Sequence, residues 1–88
     1  DEYGRQALAI KEAIESQLAD RHAWKNKKCR LHMDFAYDGK LHNVESRDGN
    51  KAYCEALVSA AKKATFPPFP NQHVYEAFAS SRFVILGE

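Results

Sequence analysis

Cys29 and Cys54 are the side chains best suited to covalent chemistry, and they are the only cysteines of the chain. They fall in different predicted elements. Cys29 opens an alternating stretch that runs to Phe35, and Cys54 sits in the first turns of an amphipathic segment, Asn50 to Ala64. Three chemistries are open to the pair. A single disulfide would pin a helix to a sheet and place the domain outside a reducing cytosol. Two reduced thiols would simply be core residues. A nucleophilic or redox thiol at Cys54 would need an electropositive, partly exposed setting, whereas Cys54, beside Tyr53 and Ala56, sits on the core side of its helix. A metal site is disfavoured, because there is no C-x-x-C and His22, His32, His42 and His73 share no ligand spacing with the cysteines. With no Gly-rich phosphate loop and no paired carboxylates on one helix face, neither a cofactor nor an enzyme activity is expected.

Something must position these sulfurs. Eighty-eight residues make one small domain with a modest core. A cross-link closing the 29–54 loop would contribute roughly 3.5 kcal/mol on the chain-entropy model. The net charge is +1, from 13 basic and 12 acidic residues, so no nucleic-acid surface is indicated. One basic run, Arg21, Lys25, Lys27, Lys28 and Arg30, reads as a solvated loop and strand edge, with steering of an acidic partner as the alternative. No apolar stretch approaches the ~20 residues of a membrane span. The chain starts at Asp1 without an initiator Met or a signal peptide, and so reads as a domain excised from a longer protein.

Apolar spacing predicts a helix over Glu2–Arg21, with Tyr3, Ala7, Ile10, Ile14 and Leu18 as its stripe and Lys11, Glu12 and Glu15 on the wet side. A loop follows, in which Trp24 either caps the core or forms an exposed aromatic anchor. Cys29–Phe35 and Leu41–Arg47 alternate as strands around Asp38-Gly39, a two-residue type I′ turn. That turn sets Phe35 opposite His42, Met33 opposite Val44 and His32 opposite Glu45. Leu31, Met33, Phe35, Val44 and His42 then share the core face with Cys29, and Leu41 falls on the wet face. His32 and Glu45 make a plausible cross-strand pair. Asn50 caps a helix over Lys51–Ala64 that buries Cys54, Leu57, Val58 and Ala61. Phe66-Pro67-Pro68-Phe69-Pro70 is a rigid connector with its aromatics inward. Asn71 caps a short helix, Gln72–Ala79, and Arg82–Leu86 is a final apolar strand.

This order predicts an α+β fold: a three-stranded antiparallel sheet of order 2-1-3, with helices packed on one face. The last strand is then an open edge. Arg82, Phe83, Val84, Ile85 and Leu86 are the candidate partner-binding residues, through addition of an incoming strand, with Phe83 and Ile85 setting the register.

Gly49-Asn50, Cys54-Glu55-Ala56-Leu57, Ala60-Ala61, Ala64, Phe66-Pro67-Pro68 and Val74-Tyr75-Glu76-Ala77-Phe78 together resemble the C-terminal domain of TolA. Upstream, Ile10-Lys11-Glu12-Ala13-Ile14-Glu15-Ser16, Cys29-x-Leu31 and Asp38-Gly39 fit in the same order. The fold is also similar to the TonB C-terminal domain, which lacks the cysteine pair. The resemblance covers nearly the whole chain and implies one domain, 1–88, of a longer protein anchored in the inner membrane and facing the periplasm. It implies a disulfide between Cys29 and Cys54 and a non-enzymatic role in the Tol-Pal envelope system. The implied partners are TolB with the Pal lipoprotein, the N-terminal domain of the minor coat protein of filamentous phages, and the translocation domain of group A colicins. A small or aliphatic residue is more usual where Tyr53 stands, and an aliphatic where His42 stands. Both positions are expected near the surface.

Overall fold

The computed structural model describes all residues, 1–88. The chain forms α1 (Glu2–Glu15), β1 (Lys28–Phe35), β2 (Leu41–Gly49), α2 (Lys51–Lys63), α3 (Gln72–Phe78) and β3 (Ser80–Leu86). The sheet has the order β2-β1-β3, with both pairings antiparallel. The predicted α+β architecture and strand order are therefore observed. None of the helices is long and apolar enough to cross a membrane.

Asp1 opens α1 by accepting a hydrogen bond from the Gly4 N–H at 2.6 Å. The helix stops at Glu15, six residues before the predicted Arg21. The Ser16 hydroxyl donates to the Ala13 carbonyl, and the Gln17 and Leu18 N–H groups reach back only three residues, to Ile14 and Glu15. Such bonds tighten a last turn and end the helical ladder. Ile10 and Ile14 are buried, but Tyr3 is exposed and does not extend the stripe. Glu15, expected to be wet, is buried, and Arg21 reaches it at 3.4 Å from the following turn.

The β1–β2 hairpin keeps its predicted register over the middle of the strands and departs from it at both ends, first at the tip. A type I′ turn needs positive φ at both central residues. Gly39 has a φ of 92°, whereas Asp38 stays out of that region. The turn is accordingly a three-residue loop, Tyr37–Gly39. The Gly39 N–H donates to the Ala36 carbonyl, and the Ala36 N–H to the Lys40 carbonyl. Phe35 therefore faces Leu41, not His42. A bulge at His42 then restores the expected pairs Asp34–Asn43, Met33–Val44 and His32–Glu45. The consequence is local: His42 leaves the core face for solvent, and Leu41 becomes half-buried against the core. A second irregularity, near Arg47, shifts Cys29 opposite Gly49.

Gly49 has a φ of 127°, and a Cβ there would collide with the Lys28 carbonyl. This close approach swings the chain from β2 into α2, where the Asn50 side chain accepts from the Tyr53 N–H at 2.9 Å. Asn71 caps α3 in the same way, accepting from Val74 at 3.0 Å. The connector packs Phe66 and Phe69 edge-on against Phe35, at 5.2 and 5.8 Å between centroids. The core lies between one face of the sheet and the helices. Lys28, Arg30, His32 and Asp34 of β1 share the other, open face with Ser80, Arg82, Val84 and Leu86 of β3.

Candidate functional site: the free edge of β3

β3 is hydrogen-bonded to β1 on one side and to no strand on the other. It starts at Ser80, two residues before the predicted Arg82. Its inner side is held at both ends: Phe35 N–H donates to the Ala79 carbonyl, and Gly87 N–H to the Lys27 carbonyl, both at 2.9 Å. These two bonds fix which residues face the edge. The β1–β3 register is unbroken between them, and in an antiparallel ladder bonded and non-bonded pairs alternate. Ser81, Phe83 and Ile85 therefore direct their backbone groups toward β1. Ser80, Arg82, Val84 and Leu86 direct theirs toward the free edge.

The side chains alternate in step. Ile85 is buried at 1% exposure, so the expectation that it would help to set a partner's register is corrected: it is filled in against the core. Phe83 is half-buried and stacks on Phe78, with centroids 5.9 Å apart and planes 14° apart. Arg82 is exposed, and Val84 and Leu86 are 54% and 57% exposed. Two uncovered aliphatic side chains thus stand beside the unpaired backbone groups.

The other sequence candidates sit elsewhere. Cys29 and Cys54 are joined as a disulfide with Cα atoms 5.4 Å apart, and neither sulfur is a free thiol. Trp24 is half-buried and stacks on Tyr53 at 5.3 Å, so it closes the end of the core instead of standing out as an anchor. Tyr53 itself is 1% exposed, not a surface residue. Burial pushes its phenol above the ordinary value of 10.0, with help from the carboxylates of Glu15 and Glu88. The basic run is exposed throughout. Within it Arg21 pairs with Glu15 and Glu88, and Arg30 with Asp48.

His32 does not pair with Glu45, although the two are opposite one another. Its Nε2 lies 3.3 Å from Asp34 and 3.1 Å from the Ser80 hydroxyl, and Glu45 turns to Arg47. The three residue types are those of a hydrolytic triad. Both neighbours meet the same ring nitrogen, however, so no proton relay runs from serine through imidazole to carboxylate. The Asp34 carboxyl is held below its ordinary value of 3.8 by hydrogen bonds from Ser80 and Asn43 and by His32.

One concave feature escaped sequence reasoning. A groove of about 520 Å³ runs between β2 and the end of α2, lined by Leu41, Val44, Ala61, Ala64 and Phe66 among others. The small residues along α2 were its only signal. The misplacement of Leu41 on the wet face hid the wall opposite.

The TolA C-terminal family model matches residues 1–85. The chain belongs to the TolA C-terminal family. Solved TolA domains share its fold. One, studied for protein-protein interactions, conformational changes and the importance of the hydrophobic cavity of the TolA C-terminal domain, superimposes with a TM-score of 0.77 at 21% identity, covering 97% of this chain and 89% of that one. Another, a solution structure of TolAIII bound to a peptide derived from the N-terminus of TolB, gives a TM-score of 0.79 at 15% identity, covering 97% of this chain and 74% of that one.

Proposed function

We propose that this domain is a non-enzymatic protein-interaction module that takes up an extended segment of its partner as a fourth strand on the free edge of β3, along Arg82, Phe83, Val84, Ile85 and Leu86. The carrying observation is the row of backbone groups at Arg82, Val84 and Leu86, which face away from β1 and have no strand to bond. An unpaired strand edge is a template for an incoming strand. Family membership extends the reading. The domain faces the periplasm on a protein anchored in the inner membrane, and it serves the Tol-Pal envelope system by binding TolB, itself linked to Pal. The minor coat protein of filamentous phages and group A colicins use it as a receptor. A relative caught with a TolB-derived peptide supports a peptide ligand.

The test is amide shift mapping with a TolB N-terminal peptide on the wild-type domain and on Val84→Pro. Proline is tolerated on an edge strand where the N–H it removes faces outward. Val84→Pro should therefore keep the folded spectrum and lose peptide-induced shifts along β3. Undiminished binding by the folded variant would sink strand addition at this edge. Shifts confined to Leu41, Val44, Ala61 and Phe66 would move the partner to the groove beside β2.

A further inference from the structure

We infer that the strand received by β3 is acidic as well as apolar, with a carboxylate facing Arg82 and apolar side chains facing Val84 and Leu86. This rests on the strand-addition reading above and specifies its ligand. The charges on the open face of the sheet are unevenly satisfied. Arg30 is occupied by Asp48 at 3.2 Å. Asp34, the one carboxylate of β1, is occupied by His32 at 3.3 Å and by Asn43 at 3.3 Å. Glu45 holds Arg47 at 2.9 Å. Arg82 and Lys28 are left without a carboxylate partner. The sequence of β3, SSRFVIL, contains no acidic residue of its own. On the edge strand itself, Arg82 therefore stands as an uncompensated positive charge beside two exposed aliphatic side chains, with Lys28 one strand further in.

Geometry turns that composition into a pattern. Residues directly opposite one another on neighbouring strands point to the same face of a sheet. A strand laid along β3 would set three alternate side chains against Arg82, Val84 and Leu86. Opposite charges facing across strands are favourable and like charges are not. The fitting segment carries a carboxylate, an apolar residue and a second apolar residue at every other position. The carboxylate comes last in an antiparallel partner and first in a parallel one. The residue between the first two turns to the helix face, where the Phe83 ring, backed by Phe78, offers an apolar ledge.

Synthetic nine-residue peptides that alternate valine and threonine test this. In one pair the valine row ends in aspartate, in its counterpart in lysine, and each is made in both orders. They are titrated into the labelled wild-type domain, Arg82→Glu and Arg82→Gln, following the β3 amides. In at least one order the aspartate peptide should bind the wild type roughly two- to ten-fold more tightly than the lysine peptide. The preference should reverse on Arg82→Glu and vanish on Arg82→Gln. Equal affinities for both peptides, with shifts still on β3, would overturn the acidic preference and leave the edge reading standing. Absence of β3 shifts with these peptides and with the TolB peptide alike would remove both.

Discussion

The phenol ring of Tyr53 lies flat against the indole of Trp24, with centroids 5.3 Å apart and planes 25° apart. The stack ties the irregular segment after α1 to the first turn of α2. Tyr53 is 1% exposed, so truncation opens a large cavity. Tyr53→Ala should cost about 3–5 kcal/mol, the range for large aromatics in cores. Trp24→Ala, at a half-buried position, should cost about 1–3 kcal/mol. A double-mutant cycle by urea unfolding should return a coupling of about 0.5–1.5 kcal/mol for the stack.

The same tyrosine sets an alkaline limit. Its pKa is raised above 10.0 by burial and by Glu15 and Glu88, so the folded state holds the phenolic proton where the unfolded chain has released it. The stabilisation is whole below pH 10 and is lost as pH rises through the folded value. Unfolding free energy should fall above about pH 10, and Tyr53→Phe should flatten that fall. An unchanged slope in the phenylalanine variant would assign the alkaline limit to other groups.

Removing the cross-link is a separate test. The bridge spans a sequence separation of 25, for which loop-closure entropy gives roughly 3.5 kcal/mol. The Cys29→Ala, Cys54→Ala double variant should lose about that much in denaturant unfolding. If the folded double variant also keeps its partner affinity, the sulfurs have no part in binding. Free thiol in the unreduced wild type would contradict the bridge.

At the acid end the responsive group is Asp34, whose pKa is lowered from 3.8 by Ser80 first, then Asn43 and His32. A carboxyl that ionises more readily in the folded state stabilises the fold above its unfolded pKa, and that contribution disappears as pH falls through the folded one. Asp34→Asn should lower stability modestly near neutrality, where that contribution is present, and reduce the pH dependence below about pH 4, where the two proteins converge. Acid titration of the two proteins side by side checks it.

The sheet order, both asparagine caps and the register of Met33 on Val44 could all be read from residue types and spacing. Each depends on a strong local preference or on alternation sustained over several residues. The tip of the hairpin could not be read in this way. Asp38-Gly39 is compatible with two turns that differ by one residue, and the choice rests on whether Asp38 takes a positive φ. The error at His42 cancelled over the body of the strand because the bulge absorbed it. Glu15 and Tyr53 were misjudged for a different reason. Their burial depends on Arg21, Trp24 and the chain end folding over them, long-range contacts that local periodicity does not carry. The edge residues Arg82, Val84 and Leu86 were legible as a group, but telling them from Phe83 and Ile85 required the hydrogen bonds at the two ends of β3.

That separation has a consequence for how the domain varies. On β3, the residues with inward backbone groups also send their side chains toward the core, and those with outward backbone groups show theirs to solvent. On the strand-addition reading proposed above, stability and recognition are written on alternate letters of one seven-residue strand. Changes at 82, 84 and 86 can retune which partner is accepted without disturbing the interior. Changes at 83 and 85 are filtered by folding before any partner is met.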